Sequence, residues 1–183
     1  MATKRICWDS CICIDCLEKR DGRIQAVEPV LRQGENKEVI IIVSAFAIAE
    51  TIRIKGVADA DQADTIFSFF LNPYIEVRGV DLALARLANK LARLNPLDPP
   101  DAVHVATAFV MKCPILLTTD GIDKKIRKRR KPLLPLNGKI VDPENPSVDP
   151  LRIMTPSDYM AESWPLFKNG LADYDKKTSR TKP

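Results

Sequence analysis

Short apolar runs alternate along the chain with longer segments of helical period. Arg5–Trp8 (RICW) predicts a strand that stops at Asp9, and Ser10–Lys19 a helix with Ser10 near its N-cap, broken at Asp21–Gly22. Arg23–Gln33 predicts a second helix, kinked or weakened by Pro29. Val39–Val43 is apolar and β-branched, the pattern of a buried strand. Ser44 is placed to cap a helix over Ala45–Lys55 that Gly56 ends. Asp61–Leu71 predicts a further helix, Tyr74–Val77 a strand, and Leu82–Leu94 a strongly amphipathic helix with Leu84, Leu87, Leu91 and Leu94 on one stripe, a core or dimer face. In Asp98–Lys112, Asp98 stands at the N-cap, Pro99 at N1 and Asp101 at N3, a complete helix start. Ile115–Thr119 is a strand ending at Asp120, and Pro132–Pro150, with five prolines and no period, a stiff surface loop. Leu151–Met154 predicts a last strand, and Thr155 caps a helix that begins at Pro156.

Strands that alternate with helices predict an α/β fold, a mainly parallel sheet covered on both faces. Ligands of such sheets sit beyond the carboxyl ends of the strands. Two strands end there in aspartate, Asp9 and Asp120. With 183 residues, 45% of them hydrophobic, the chain has material for one core. Residues 1–162 are expected to form one domain with an insertion at 124–150, and residues 163–183 a C-terminal extension. No apolar run approaches the roughly 20 residues of a membrane span. No apolar segment follows the basic start in the manner of a signal peptide. Five cysteines, an odd number, then point to reduced thiols in a cytoplasmic compartment. Four of them fall within Cys7–Cys16, but C-x3-C-x-C-x2-C is not a zinc spacing, and small buried residues are the simpler reading.

Glu50 is the one acid in an otherwise apolar helix, which calls for a salt bridge, with Arg53 for example, or for a cation. Asp101 is explained singly by helix capping, and Asp9 and Asp120 by turns at strand ends. Converging at one end of a sheet, the four carboxylates would repel one another unless they shared a hard divalent cation, Mg2+ or Mn2+. Such a cation activates water and neutralises a phosphate. Thr118, on the same strand face as Asp120, is placed to hold a metal-bound water, and Asp123 offers one more carboxylate. His104, the single histidine, reads as a packed or hydrogen-bonded residue rather than a base. Trp8 reads as core.

Four blocks in order, CWDSCICIDCLE, IIIVSAFAIAET, DPPDAVHVATA and ILLTTDGID, with a closing RIMTPSDYM, resemble the PIN-domain ribonucleases, the family that includes VapC-type toxins. The resemblance spans Ile6 to about Met160. It implies a three-layer α/β/α sandwich and metal-dependent hydrolysis of RNA. Residue by residue, it places Asp9, Glu50, Asp101 and Asp120 as catalytic metal ligands, with Ser10, Thr118 and Asp123 in support. It also implies a protein antitoxin as partner. The connection at 124–150 is longer than the family's, and Lys124 stands where an aromatic residue often follows Asp123.

Charge adds a candidate interface. The net +4 conceals two cationic clusters, seven residues in Lys124–Lys131 and four in Lys176–Lys182, on a remainder with 17 basic and 24 acidic residues. Lys124, Lys125, Arg127, Lys128, Arg129, Arg130 and Lys131 either contact an RNA backbone or form a solvated loop. A module that binds nucleic acid or protein without cutting stays open as the alternative. A phosphatase is disfavoured, because Asp9 is followed by Ser10 and Cys11 rather than by an Asp-x-Asp pattern.

Overall fold

The computed structural model describes residues 3–122 and 132–163. Five strands, β1 (Lys4–Trp8), β2 (Val39–Ser44), β3 (Ile75–Arg78), β4 (Ile115–Leu117) and β5 (Arg152–Met154), form an all-parallel sheet in the order β3-β2-β1-β4-β5. Seven α-helices are described: α1 (Ser10–Leu17), α2 (Ile24–Glu35), α3 (Ala45–Glu50), α4 (Gln62–Phe70), α5 (Leu82–Leu94), α6 (Pro99–Val110) and α7 (Pro156–Ser163).

Alternation along the strands sorts the core into two layers. Ile6, Trp8, Ile41, Val43 and Leu117 face one way, onto α1, α2, α3, α4 and α7. Cys7, Ile42, Leu116 and Ile153 face the other way, onto α5 and α6. The chain steps outward from β1 to β2 and β3, then returns to place β4 on the other side of β1. The carboxyl ends of β1 and β4 therefore flank the point where the order reverses, the position at which such sheets bind ligands. Asp9 follows β1 directly, and Thr118 follows β4.

Three expectations need correction. The helix predicted over Ala45–Lys55 ends at Glu50. Thr51 and the β-branched residues after it favour helix weakly. The side chain of Gln62 satisfies the backbone beyond by accepting from Ile54 N at 2.8 Å and donating to the carbonyls of Ile54 and Val57 at 3.0 and 2.7 Å. The helix predicted to weaken at Pro29 runs through it. The stretch 132–150 is more than a surface loop. It contains a 3-10 turn at Leu134–Leu136, buries Leu133 and Ile140, and lies beside the start of β5, with Leu151 N donating to Ile140 O at 2.8 Å and Ile153 N to Asn137 Oδ1 at 2.9 Å. Of the leucine stripe on α5, Leu84, Leu87 and Leu91 are buried and Leu94 is exposed. Trp8 is core.

Candidate active site

Asp9 holds the N-cap position of α1 but makes no capping bond with its side chain. Its buried carboxylate turns instead toward the end of β4. Thr118 Oγ1 donates to Oδ2 at 2.8 Å, Cys11 Sγ donates to the same oxygen at 3.1 Å, and Ser10 Oγ donates to Oδ1 at 3.3 Å. Thr118 also accepts from Asp120 N at 2.9 Å, so one hydroxyl joins the ends of β1 and β4. Thr118, expected from the sequence to support the site, does so here by bonding Asp9 directly.

A second group comes from α6. Asp101 in its first turn and His104 three residues on are both buried on the face toward the sheet end. The imidazole Nε2 lies 2.7 Å from Glu50 Oε2 and 3.4 Å from Asp9 Oδ1. Burial opposes the charged ring. The Glu50 hydrogen bond and the charges of Asp9, Glu50 and Asp101 outweigh it and raise the pKa of His104 above its ordinary value. The salt bridge offered between Glu50 and Arg53 does not form; Arg53 pairs with Asp59 at 3.3 Å. His104 is hydrogen-bonded, as read from the sequence, but its partners are the site acids themselves. Its spacing from Asp101, one turn on the same helix, was the signal available for that.

Asp120 is half-buried and closes a loop. Its Oδ2 accepts from Leu133 N at 3.1 Å and its carbonyl from Leu134 N at 3.3 Å. Gly121 follows with φ +106°, and a Cβ there would stand 3.0 Å from the Cβ of Pro132, so the chain turns where only glycine fits. Both ends of the segment that carries the basic run are therefore joined beside Asp120. Asp123 and Lys124–Lys131 lie outside the described residues.

Asp15, which the sequence reading passed over, is fully buried one turn beyond Cys11 on α1. It accepts from Thr119 Oγ1 at 2.9 Å and from the guanidiniums of Arg20 and Arg23 at 3.1 and 3.4 Å. Cys11 Sγ accepts Thr119 N at 3.2 Å. Positions 11 and 15, on one helix face, thereby fix the segment that leads into Asp120. The cysteines are all free, and four of the five are buried.

Among the described residues, no three His, Cys, Asp or Glu side chains form a ready metal cage. Asp9 and Glu50 both reach His104 Nε2, and the charge of Asp101, one turn earlier on α6, also acts on the ring; oxygen donors of this kind are those that hard divalent cations take. Asp9 and Glu50 meet at His104, Asp101 stands one turn before it on α6, and the backbone N–H of Asp120 is tied to Asp9 through Thr118.

No curated protein matches the chain. Among solved structures, it is similar to the sarcin–ricin-loop-cleaving toxin VapC20 of Mycobacterium tuberculosis, at 20% identity over 63% of this chain and 90% of that one, with a TM-score of 0.51. It is also similar to VapBC2 of Rickettsia felis bound to promoter DNA (15% identity, 63% and 88% covered, TM-score 0.49) and to a toxin–antitoxin complex of Klebsiella pneumoniae (18%, 68% and 93%, 0.49). The first of these supports the α/β/α fold. No described helix is long and apolar enough to cross a membrane. The family model described as PIN domain matches residues 6–129, more than half the sequence, and the chain belongs to that family.

Proposed function

We propose that the protein is a Mg2+- or Mn2+-dependent endoribonuclease of the cytoplasm and the toxin of a toxin–antitoxin pair. The observation that carries this reading is that Asp9 and Glu50 meet at His104, beside Asp101 on the same helix, at the switch point of a PIN-family sheet. The similarity to a toxin described as cleaving the sarcin–ricin loop supports RNA as substrate.

In this reading Asp9, Glu50, Asp101 and Asp120 hold the cation, with Asp123 as a further ligand. When bound, a divalent cation supplies a Lewis acid that lowers the pKa of water and neutralises charge on a phosphate. The chain does the rest. Thr118 and Ser10 fix the rotamer of Asp9. Asp15 and Cys11 hold the backbone that presents Asp120. Lys124–Lys131 attract the RNA backbone, a role supported by the two pinned ends of their segment at Asp120. A protein antitoxin covers the acids, and a guanidinium is the side chain best suited to enter among them.

The test is cleavage of single-stranded RNA with Mn2+. The wild type cuts, EDTA stops it, and Asp101→Asn lowers the rate by about 100-fold or more. Cleavage by Asp101→Asn at the wild-type rate and with the same metal dependence defeats the reading. One observation favours a second reading: no three-donor cage is preformed among the described residues. A module that binds RNA without cutting would retain binding in EDTA and release no product.

A further inference from the structure

His104 lies inside the acid group, yet nothing in the proposed reaction requires a histidine. The carboxylate ligands of that reading are complete without it. The ring is fully buried, its Nδ1 has no hydrogen-bond partner among the described residues, and Phe46 of α3 packs against it with ring centroids 6.5 Å apart. Its hydrogen-bonding capacity is therefore spent on the acids through Nε2 alone.

The two acids it faces differ in their need for it. Asp9 has three other donors, Thr118 Oγ1, Cys11 Sγ and Ser10 Oγ, and keeps its orientation without the ring. Glu50 has none of these. It is the last residue of a six-residue helix, the chain leaves helical geometry at Thr51, and the His104 bond at 2.7 Å is its one side-chain hydrogen bond among the described residues. A carboxylate at a helix C-terminus also faces the negative end of the backbone dipoles and, without a donor, swings outward. Its side chain is 27% exposed, so water lies open to it on that side.

We infer that His104 is a positioning residue that turns Glu50 inward toward Asp9, across the gap between α6 and α3, and so completes the acid group for a divalent cation. This rests on the reading of Asp9, Glu50 and Asp101 as cation ligands. It assigns His104 no contact with RNA and no proton transfer. The partners that orient metal ligands typically govern affinity by about 10- to 100-fold.

A double-mutant cycle read as Mn2+ affinity by calorimetry tests it, with thermal melts to verify folding. Glu50→Gln and His104→Leu are each expected to raise the Mn2+ dissociation constant by about tenfold or more. The double variant is expected to bind no worse than Glu50→Gln alone, because His104 acts only through Glu50. His104→Gln, which keeps an N–H donor near the Nε2 position, is expected to stay within about threefold of wild type. Losses that multiply in the double variant, or His104→Leu with wild-type affinity, overturn this inference and leave the cation reading intact. If His104→Leu does not fold, His104→Gln decides, and affinity as poor as that of Glu50→Gln overturns the inference. A wild type that binds no Mn2+ overturns both.

Discussion

The hydroxyl of Thr118 donates to Oδ2 of Asp9 at 2.8 Å, joining residues 109 positions apart. The hydroxyl oxygen of Thr118 itself accepts the backbone N–H of Asp120. Thr118→Val keeps the shape and removes both bonds, leaving a buried carboxylate oxygen and an amide short of partners. The expected cost is about 1–3 kcal/mol. Urea denaturation of Thr118→Val and Thr118→Ser checks it: serine retains most of the stability and valine does not.

Asp15 holds Thr119, Arg20 and Arg23 from a fully buried position. Both guanidiniums are partly exposed and rehydrate when the acid is removed, so the penalty stays below that of a fully buried broken pair. Asp15→Ala is expected to cost about 2 kcal/mol and to loosen residues 118–120. Hydrogen exchange at Thr119 and Asp120 reads the second effect, and unchanged protection there would refute it.

Burial pushes the thiols up: Cys16 and Cys113 to about 12, and Cys7, Cys11 and Cys13 well above the ordinary 9.0, with Asp9 adding to the rise at Cys11. At pH 8 a pKa of 12 leaves about a thousandth of the usual thiolate. Iodoacetamide is therefore expected to label none of the five quickly in the folded protein and all of them in denaturant. Fast native labelling of Cys11 would show that its bonds to Asp9 and Thr119 do not persist in solution.

The raised pKa of His104 sets a pH dependence. A group whose folded pKa lies above its unfolded value stabilises the fold fully below the unfolded value, here 6.5, and loses that contribution as pH rises through the folded value. Without added metal, the stability difference between wild type and His104→Gln is expected to shrink as pH climbs above 6.5. A difference that grows over that range contradicts the electrostatic account of the buried ring.

Much of this arrangement is legible in the sequence because it is local. The short run RICW marks β1 and the β-branched run Val39–Val43 marks β2, the Asp98–Pro99 start marks α6, and the alternation itself predicts a parallel sheet and its ligand-binding end. What escapes is set by contacts distant along the chain. α3 ends early because Gln62 captures the next turn, a bond that no propensity scale contains. Asp15 looks like an ordinary helical acid until Thr119 arrives from β4. His104 gives its spacing from Asp101 but not its reach to α3. Asp120 reads as a turn residue, and its bond to Leu133 depends on how the chain returns after the basic run.

The account depends on a divalent cation held by Asp9, Glu50 and Asp101 together. Anomalous diffraction at the manganese edge, from crystals grown with Mn2+, measures this directly. The account predicts a peak in contact with carboxylate oxygens of Asp9, Glu50 and Asp101 at the carboxyl end of β1. A saturated crystal with no peak there would contradict it.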